Sequence, residues 1–247
     1  MSLFRPRLRS DDLIEVRGRP VRLRVNARAR RISLRVDAKR GEVIATAPSA
    51  HGLADALRFA ESRSDWIAER LAALPTQTLL RPGLTIEVGG QPCLLERAAM
   101  HMAPRLIPAT GGEPQRLLAS GQDETYGRAV ARALKAEALA RLTARSEVHA
   151  ARLGQPMPSI AVADAKGRWG SCRQAARGRV AVVRYSWRLI MAPSQVLDSV
   201  AAHEIAHLVE ANHGPDFWAV VRDLYGDHAP ARRWLRRHGA ELHALTA

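Results

Sequence analysis

The feature that most constrains the fold is the run HEIAHLVEANHG at residues 203 to 214. Apolar residues around its first half predict a helix, on which His203 and His207 would lie on one face, one turn apart. A single metal ion can bridge that separation. A straight helix would carry His213 about 9 Å beyond His207 along its axis. The helix must therefore end or bend before His213 if the three imidazoles are to meet.

The neighbouring residues supply such a break. Asn212 tolerates left-handed backbone, Gly214 suits the end of a helix, and Pro215 can open a new one. Upstream, Pro193 and the candidate N-cap Ser194 mark the helix start. The sequence thus predicts a helix from Ser194 that stops just before His213.

A catalytic zinc site needs three protein ligands and one open position for water. His203, His207 and His213 could supply the ligands. Glu204 could act as general base, since zinc lowers the pKa of a bound water to about 7. Because the helix is otherwise apolar, these polar side chains would be largely buried and would need partners. The alternative is a solvent-facing helix with no metal, and Glu210 could be either an outer partner of the site or simply exposed.

Length and cysteine content limit the alternatives. A chain of 247 residues can form one large domain or two small ones. Cys93 and Cys172 are too few for a disulfide framework and lack zinc-ribbon spacing, so a metal would depend on histidines and carboxylates. No apolar stretch long enough to span a membrane occurs, and the first residues lack the apolar centre of a secretory signal. We expect a cytoplasmic protein without a membrane partner.

The net charge of +14 points toward polyanions, because basic surfaces bind phosphate backbones through counterion release. Residues 1 to 40 hold 13 basic and 4 acidic side chains. Nucleic acid is therefore a possible partner of this basic N-terminal segment. The alternative is a solvated basic face, because only three of the 38 basic residues are lysines and arginine abundance partly reflects codon bias.

Hydrophobic patterning predicts a mixed α+β chain. Residues 1 to 118 form a β-rich region with one helix: alternating strands lie near 20–26, 30–37 and 42–47, a helix runs from a cap at Ser49 to Pro75, and a hairpin turns at Gly89 and Gly90. Residues 119 to 247 form a second domain, with a long helix over 123–153, two strands and the C-terminal helices. The loop at 108–115 separates the two regions, and no internal repeat is visible.

Four segments resemble the YgjP-like metallopeptidase domain, a relative of the SprT and WLM metalloproteases within the zincin group. They are GRWGSC at 167–172, WRLIMAP at 187–193, HEIAHLVEANHGPDFW at 203–218 and RRWLRRHG at 232–239. The resemblance implies a zincin-like C-terminal domain in which the HExxH helix lies under a small sheet. It also implies Zn²⁺ as cofactor, His203, His207 and His213 as metal ligands, and Glu204 as the catalytic residue. Ser186 stands where the family usually carries Asn.

Zincins hold an extended substrate against an edge strand by main-chain hydrogen bonds. Residues Arg168, Trp169, Gly170 and Ser171 could form that rim, with Gly170 allowing close backbone approach. The alternative is a buried turn that packs Trp169 into the core. Tyr185 and His228 are weaker candidates for stabilising an oxyanion. Cys172 has no dedicated base in the sequence and is not expected to be a nucleophile.

The leading expectation is a zinc-dependent metallopeptidase that hydrolyses peptide bonds with Glu204 as general base. The family resemblance also implies a nucleoside triphosphate pyrophosphatase acting on UTP, although the sequence shows no phosphate loop or carboxylate cluster for Mg²⁺. A third possibility is a DNA-associated protein with a structural zinc.

Overall fold

The computed structural model describes residues 8–37, 40–74, 76–165, 167–176 and 178–247. The chain divides into two compact units, Met1–Thr76 and Gln77–Ala247, and both mix helices with small sheets, which confirms the predicted α+β class. The boundary between the two units, at 76/77, lies well before the domain boundary expected at 118/119. Strands over residues 85–119 bury Ile86, Val88 and Leu117 in the same core as the later helices, so they belong to the second unit.

The first unit is a four-stranded sheet covered on one face by helices. The strands lie in the order β1-β2-β4-β3, with a parallel central pair and antiparallel outer pairs. Alternation places Leu23 of β2 and Ala45 of β4 in the core beneath Leu53 of α1. The elements are β1 (Leu13–Val16), β2 (Arg19–Val25), β3 (Ser33–Asp37), β4 (Glu42–Ala47), α1 (Leu53–Ser62) and α2 (Ser64–Ala72).

Two details of this unit differ from expectation. The single predicted helix is interrupted at Arg63, whose φ of −112° and ψ of 22° end α1 and begin α2. Ser49 precedes a short 3₁₀ helix without a side-chain capping bond. Pro75, expected to stop the helix, lies outside the described residues, as do the first seven residues of the basic segment.

The second unit begins with a similar sheet and a long helix. Its first strands lie in the order β6-β7-β9-β8, and the predicted hairpin turns at Gly89 and Gly90, with φ of +63° and +83°. Strands β8 and β9, on either side of the expected loop, were not predicted. The elements are β5 (Thr78–Leu79), β6 (Thr85–Val88), β7 (Gln91–Arg97), β8 (Arg105–Ile107), β9 (Gln115–Ala119) and α3 (Asp123–Arg152).

These two sheets have the same topology and the same register, so the expectation of no internal repeat is wrong. Val21 pairs with Val43 in the first and Cys93 with Gln115 in the second, which displaces both partners by 72 residues. Leu34–Ala45 and Leu106–Leu117 repeat the same displacement. We call residues 13–62 module one and residues 85–134 module two. The segments LIEVRGRPVRL (13–23) and TIEVGGQPCLL (85–95) share six of eleven residues.

The rest of the second unit packs a three-stranded sheet and three helices against α3. The sheet order is β10-β12-β11, so β11 is an edge strand that pairs antiparallel to β12. A 3₁₀ helix over Trp187–Met191 connects this sheet to α4. The elements are β10 (Ser159–Ala163), β11 (Gly170–Arg173), β12 (Val182–Ser186), α4 (Ser194–Ala206), α5 (Pro215–Tyr225), α6 (Ala229–Ala244) and β13 (Leu245–Thr246).

Buried polar contacts fix α3 and the chain's C-terminal part. His149 of α3, 1% exposed, and Arg145 both bond the carboxylate of Asp198 on α4, at 2.7 Å from Oδ1 in each case. The buried guanidinium of Arg188 donates to the carbonyls of Leu242 and Leu245, at 2.6 and 2.8 Å. Within the described residues, no helix is long and apolar enough to cross a membrane.

Candidate metal centre

Helix α4 carries His203 on its last turn, and His207 caps its C-terminal end. The helix therefore ends earlier than expected, and bonds of the i to i+3 type from Leu208 and Val209 tighten its end. Asn212 and Gly214 do not adopt the expected left-handed backbone. Gly214 has φ of −78° and is instead the N-cap of α5.

Two predicted residue roles concern the starts of α4 and α5. Pro215 opens α5 at its first position, as predicted. Ser194 is the first residue of α4 rather than its cap, because Pro193 occupies the N-cap position without a side-chain bond.

The early end of α4 brings the three histidines together. One ring nitrogen from each of His203, His207 and His213 lies within 4.8 Å of the other two. The Nε2 atoms of His203 and His213 are 3.1 Å apart. Two nitrogens on a tetrahedral zinc, each at 2.0–2.1 Å, would be about 3.3 Å apart. The spacing of this pair therefore suits a shared metal ion. The rings of His203 and His207 are half-buried, whereas His213 is exposed, contrary to the expectation of a largely buried trio.

Hydrogen bonding and burial prepare two of the imidazoles for a metal. His207 Nδ1 donates to the carbonyl of Glu210 at 2.9 Å, which leaves Nε2 as the nitrogen with a free lone pair. Glu210 thus supports the site through its backbone. Burial, with a smaller effect from the neighbouring imidazoles, lowers the pKa of His203 to about 4. His203 is therefore neutral at pH 7, which is the state that binds a metal.

Glu204 follows His203 and is 6% exposed. Across the described parts of the chain, its carboxylate makes no hydrogen bond or ion pair. Burial raises the pKa of Glu204 to about 7, although the charge of Arg168 opposes this shift. A carboxyl with that pKa can both accept and return a proton near neutral pH.

Gly170, at the start of β11, lies directly against Glu204. A Cβ atom at this position would approach Cδ of Glu204 to 2.6 Å, well inside van der Waals contact. The close backbone approach expected at Gly170 is therefore made to Glu204.

A cleft of about 460 Å³ opens beside Glu204 and two of the histidines. Of the four proposed substrate-binding residues, Arg168, Trp169 and Gly170 line it, whereas Ser171 does not. Trp169 is partly buried and stacks on His243 of α6, with ring centroids 5.0 Å apart. The segment therefore borders the cleft and also packs Trp169 against the core.

Of the two weaker candidates, His228 lines this cleft and Tyr185 does not. His228 lines it and stacks on Trp218, with centroids 4.5 Å apart. Tyr185 is 1% exposed and does not line the cleft, although it pairs with Gly170 on the neighbouring strand, and its hydroxyl lies 2.8 Å from Ser146 Oγ. Burial raises the pKa of Cys172 to about 11, so its thiol is protonated at neutral pH, consistent with the expectation that it is not a nucleophile.

The sequence reasoning did not identify Arg232 as a lining residue, and it expected Trp218 to anchor the helix after the site rather than to line the cleft. Arg232 begins the RRWLRRHG segment and lies on the first turns of α6, and Trp218 lies on α5. Their positions depend on how α5 and α6 pack, which a local pattern does not specify.

Comparison with known proteins gives one match. The family model described as YgjP-like, metallopeptidase domain, matches residues 30–238. No curated protein and no solved structure matches the chain.

Proposed function

The chain belongs to the YgjP-like metallopeptidase family, and from this premise we propose that it is a zinc-dependent peptidase with a zincin-like catalytic centre. In this proposal His203, His207 and His213 hold the metal and Glu204 is the general base. The observation that carries the proposal is the unpaired, buried carboxylate of Glu204 next to three converging imidazoles.

The three histidines fit a catalytic zinc site better than a structural zinc site. Three imidazole ligands would leave a fourth coordination position for solvent or substrate, whereas structural zinc sites are usually closed by four protein ligands and often by cysteine. Cys172 is protonated at neutral pH, and the cluster found among the described residues contains histidines alone. Zinc held there would polarise a carbonyl and lower the pKa of its water to about 7.

Glu204 would move the proton. Its carboxylate removes a proton from the attacking water and later delivers that proton to the amine that leaves the peptide bond. Burial favours the protonated form after the first transfer, since a buried charged carboxylate is costly. The bond from His207 to the Glu210 carbonyl would keep the His207 ring in its orientation throughout.

The edge of β11 would hold the substrate in an extended conformation. β11 pairs with β12 along one edge, and the backbone N–H of Ser186 also donates to the Trp169 carbonyl at 2.8 Å. No described strand pairs with the other edge of β11, so its backbone groups could bind a peptide strand. Residues 168–171 would contribute to this rim.

The first test separates chemistry from metal binding. We expect Glu204→Gln to retain wild-type zinc content and lose hydrolysis of an unfolded protein by at least about 10²-fold. His207→Ala should lose zinc as well as hydrolysis, and it provides the matched control. Retained turnover in Glu204→Gln would remove the proposed mechanism.

A second candidate activity is hydrolysis of nucleoside triphosphates such as UTP. Arg168 and Arg232 line the same cleft, and guanidinium groups bind phosphates well. The lack of a second, carboxylate-rich metal cluster in the described chain argues against a Mg²⁺-dependent reaction. Parallel assays with zinc and an unfolded protein, and with magnesium and UTP, on the same preparations would decide between them.

A further inference from the structure

The two modules share a fold but differ sharply in charge. Residues 17–36 of module one contain eight arginines and no acidic residue. The equivalent residues 89–108 of module two contain two arginines and one glutamate. Because the strand topology and register are the same, a sheet of this kind does not depend on an arginine-rich sequence.

Codon usage does not explain the difference in arginine content between the two modules. A genomic preference for arginine codons acts on both modules of one chain alike. Between the two modules the excess lies in module one alone, so codon bias does not account for their difference. An excess of like charges also destabilises a small domain by electrostatic self-repulsion. Binding to a polyanion would offset that destabilisation.

Five of the arginines form one surface, which we call the arginine face. Arg24 on β2 and Arg35 on β3 point away from the core on the two strands that flank β4. Arg28, Arg30 and Arg31 lie in the loop between these strands, next to Arg24. All five are exposed, and the described residues provide no ion pair to any of them.

The acidic residues on the strands of this sheet lie towards one end, whereas Asp11 and Asp12 lie beside β2, where their backbone groups bond Leu23. The strand register places Glu15, Glu42 and Asp37 in one row across the sheet. Arg22 is bound there by Glu42, at 2.7 Å between Nε and Oε1, and belongs to the structure of the sheet. The arginine face is therefore predominantly basic, with five arginines against the carboxylates of Asp37, two residues from Arg35 on β3, and of Asp11 and Asp12 beside β2.

We propose that the arginine face binds the phosphate backbone of duplex nucleic acid without reading its sequence. Arginine forks match phosphate oxygens geometrically, and five of them can release several counterions. Residues 8–37 and 40–47 contain no aromatic side chain on which unpaired bases could stack, which favours a duplex over a single strand. Leu13 is the one large exposed apolar side chain described in this unit, which is too little for insertion into a membrane.

Fluorescence anisotropy with a 20-bp DNA duplex tests this assignment on the full chain. If all five arginines contact phosphates, log Kobs should fall against log salt with a slope of about −4.5. The triple variant Arg28→Gln, Arg30→Gln, Arg31→Gln should reduce that slope by about 2.7 and weaken binding more than about tenfold at 50 mM salt.

A charge-matched variant in the same unit provides the control. Arg58→Gln, Arg63→Gln, Arg70→Gln removes three exposed arginines from α1, α2 and their junction. It should leave the slope unchanged, and both triple variants should keep the wild-type melting temperature and peptidase activity. Equal loss of binding in the two triples would overturn the proposal, as would no duplex binding at 20 mM salt.

Two further ligands distinguish the kind of polyanion. Single-stranded RNA of the same length should bind more weakly than the duplex, and phosphatidylserine vesicles should bind least. Tighter binding of the RNA or of the vesicles would contradict the assignment to a duplex. These outcomes are independent of the proposed peptidase activity, because none of the five arginines lies near Glu204 in the sequence and the readout is binding.

Discussion

Replacing Gly170 with alanine tests whether the position of the Glu204 carboxylate governs catalysis. The new Cβ would lie 2.6 Å from Cδ of Glu204, whereas non-bonded carbon atoms normally stay about 3.5–4.0 Å apart. The carboxylate must therefore move by about 1 Å, and a displacement of that size can cost about 10²-fold in rate. That loss corresponds to about 2.7 kcal/mol of transition-state stabilisation. The metal ligands are not touched, so zinc content should stay at the wild-type level.

The assay compares kcat/KM for an unfolded protein substrate with zinc content in the same preparations. Gly167→Ala is the matched control, because its Cβ would meet nothing within 4 Å and its turnover should be unchanged. Wild-type turnover in Gly170→Ala would refute the reasoning. Loss of zinc together with activity would also refute it, because the substitution would then act on the whole site.

Three further predictions concern stability and reactivity. Burial tends to raise the pKa of Asp198, but bonds from His149 and Arg145 outweigh burial and hold that pKa below its usual value. Asp198→Asn should cost about 2 kcal/mol in urea unfolding at pH 7. The stability that the Asp198 carboxylate adds is present above the unfolded pKa near 3.9 and is lost as pH falls through the folded pKa. The difference in free energy of unfolding between wild type and Asp198→Asn should therefore shrink below about pH 4. A difference that does not change with pH would contradict this prediction. Arg188→Met should lose about 2–4 kcal/mol, since it strands two buried carbonyl acceptors, and an unchanged melting curve would show that they are hydrated. With a pKa of about 11, Cys172 should react with iodoacetamide at pH 7.5 about 10²-fold more slowly in the native protein than in the unfolded chain, and equal rates by mass spectrometry would count against its burial.

Local patterns predicted the features that depend on short-range geometry. The four-residue spacing predicted the positions of His203 on the last turn of α4 and of His207 at its C-cap, because helical periodicity is local. Gly89 and Gly90 predicted their hairpin because that turn needs positive φ at both residues. Pro215 predicted the start of α5 for the same kind of reason.

Features that depend on distant contacts were missed. Helix α4 stops at Ala206, although residues 207–211 suit a helix. The chain turns there, with His207 bonded to the Glu210 carbonyl, and the turn brings His213 back to the other two histidines. The boundary between the units was misplaced because core sharing across residues 85–119 is a long-range property. The repeat escaped notice because its shared residues are few and lie mainly in one short segment, 13–23 and 85–95, while the rest of the two modules differs in sequence.

The two modules continue differently after their equivalent helical segments. In the first, the helix is interrupted at Arg63, whereas in the second it runs on to Arg152 and supplies Arg145 and His149 to the helix that bears the histidines. One copy of the repeated fold is thus tied to the helix that carries the histidine cluster. The other copy has no such contact among the described residues of its own unit, so its exposed surface can change in charge without disturbing that helix.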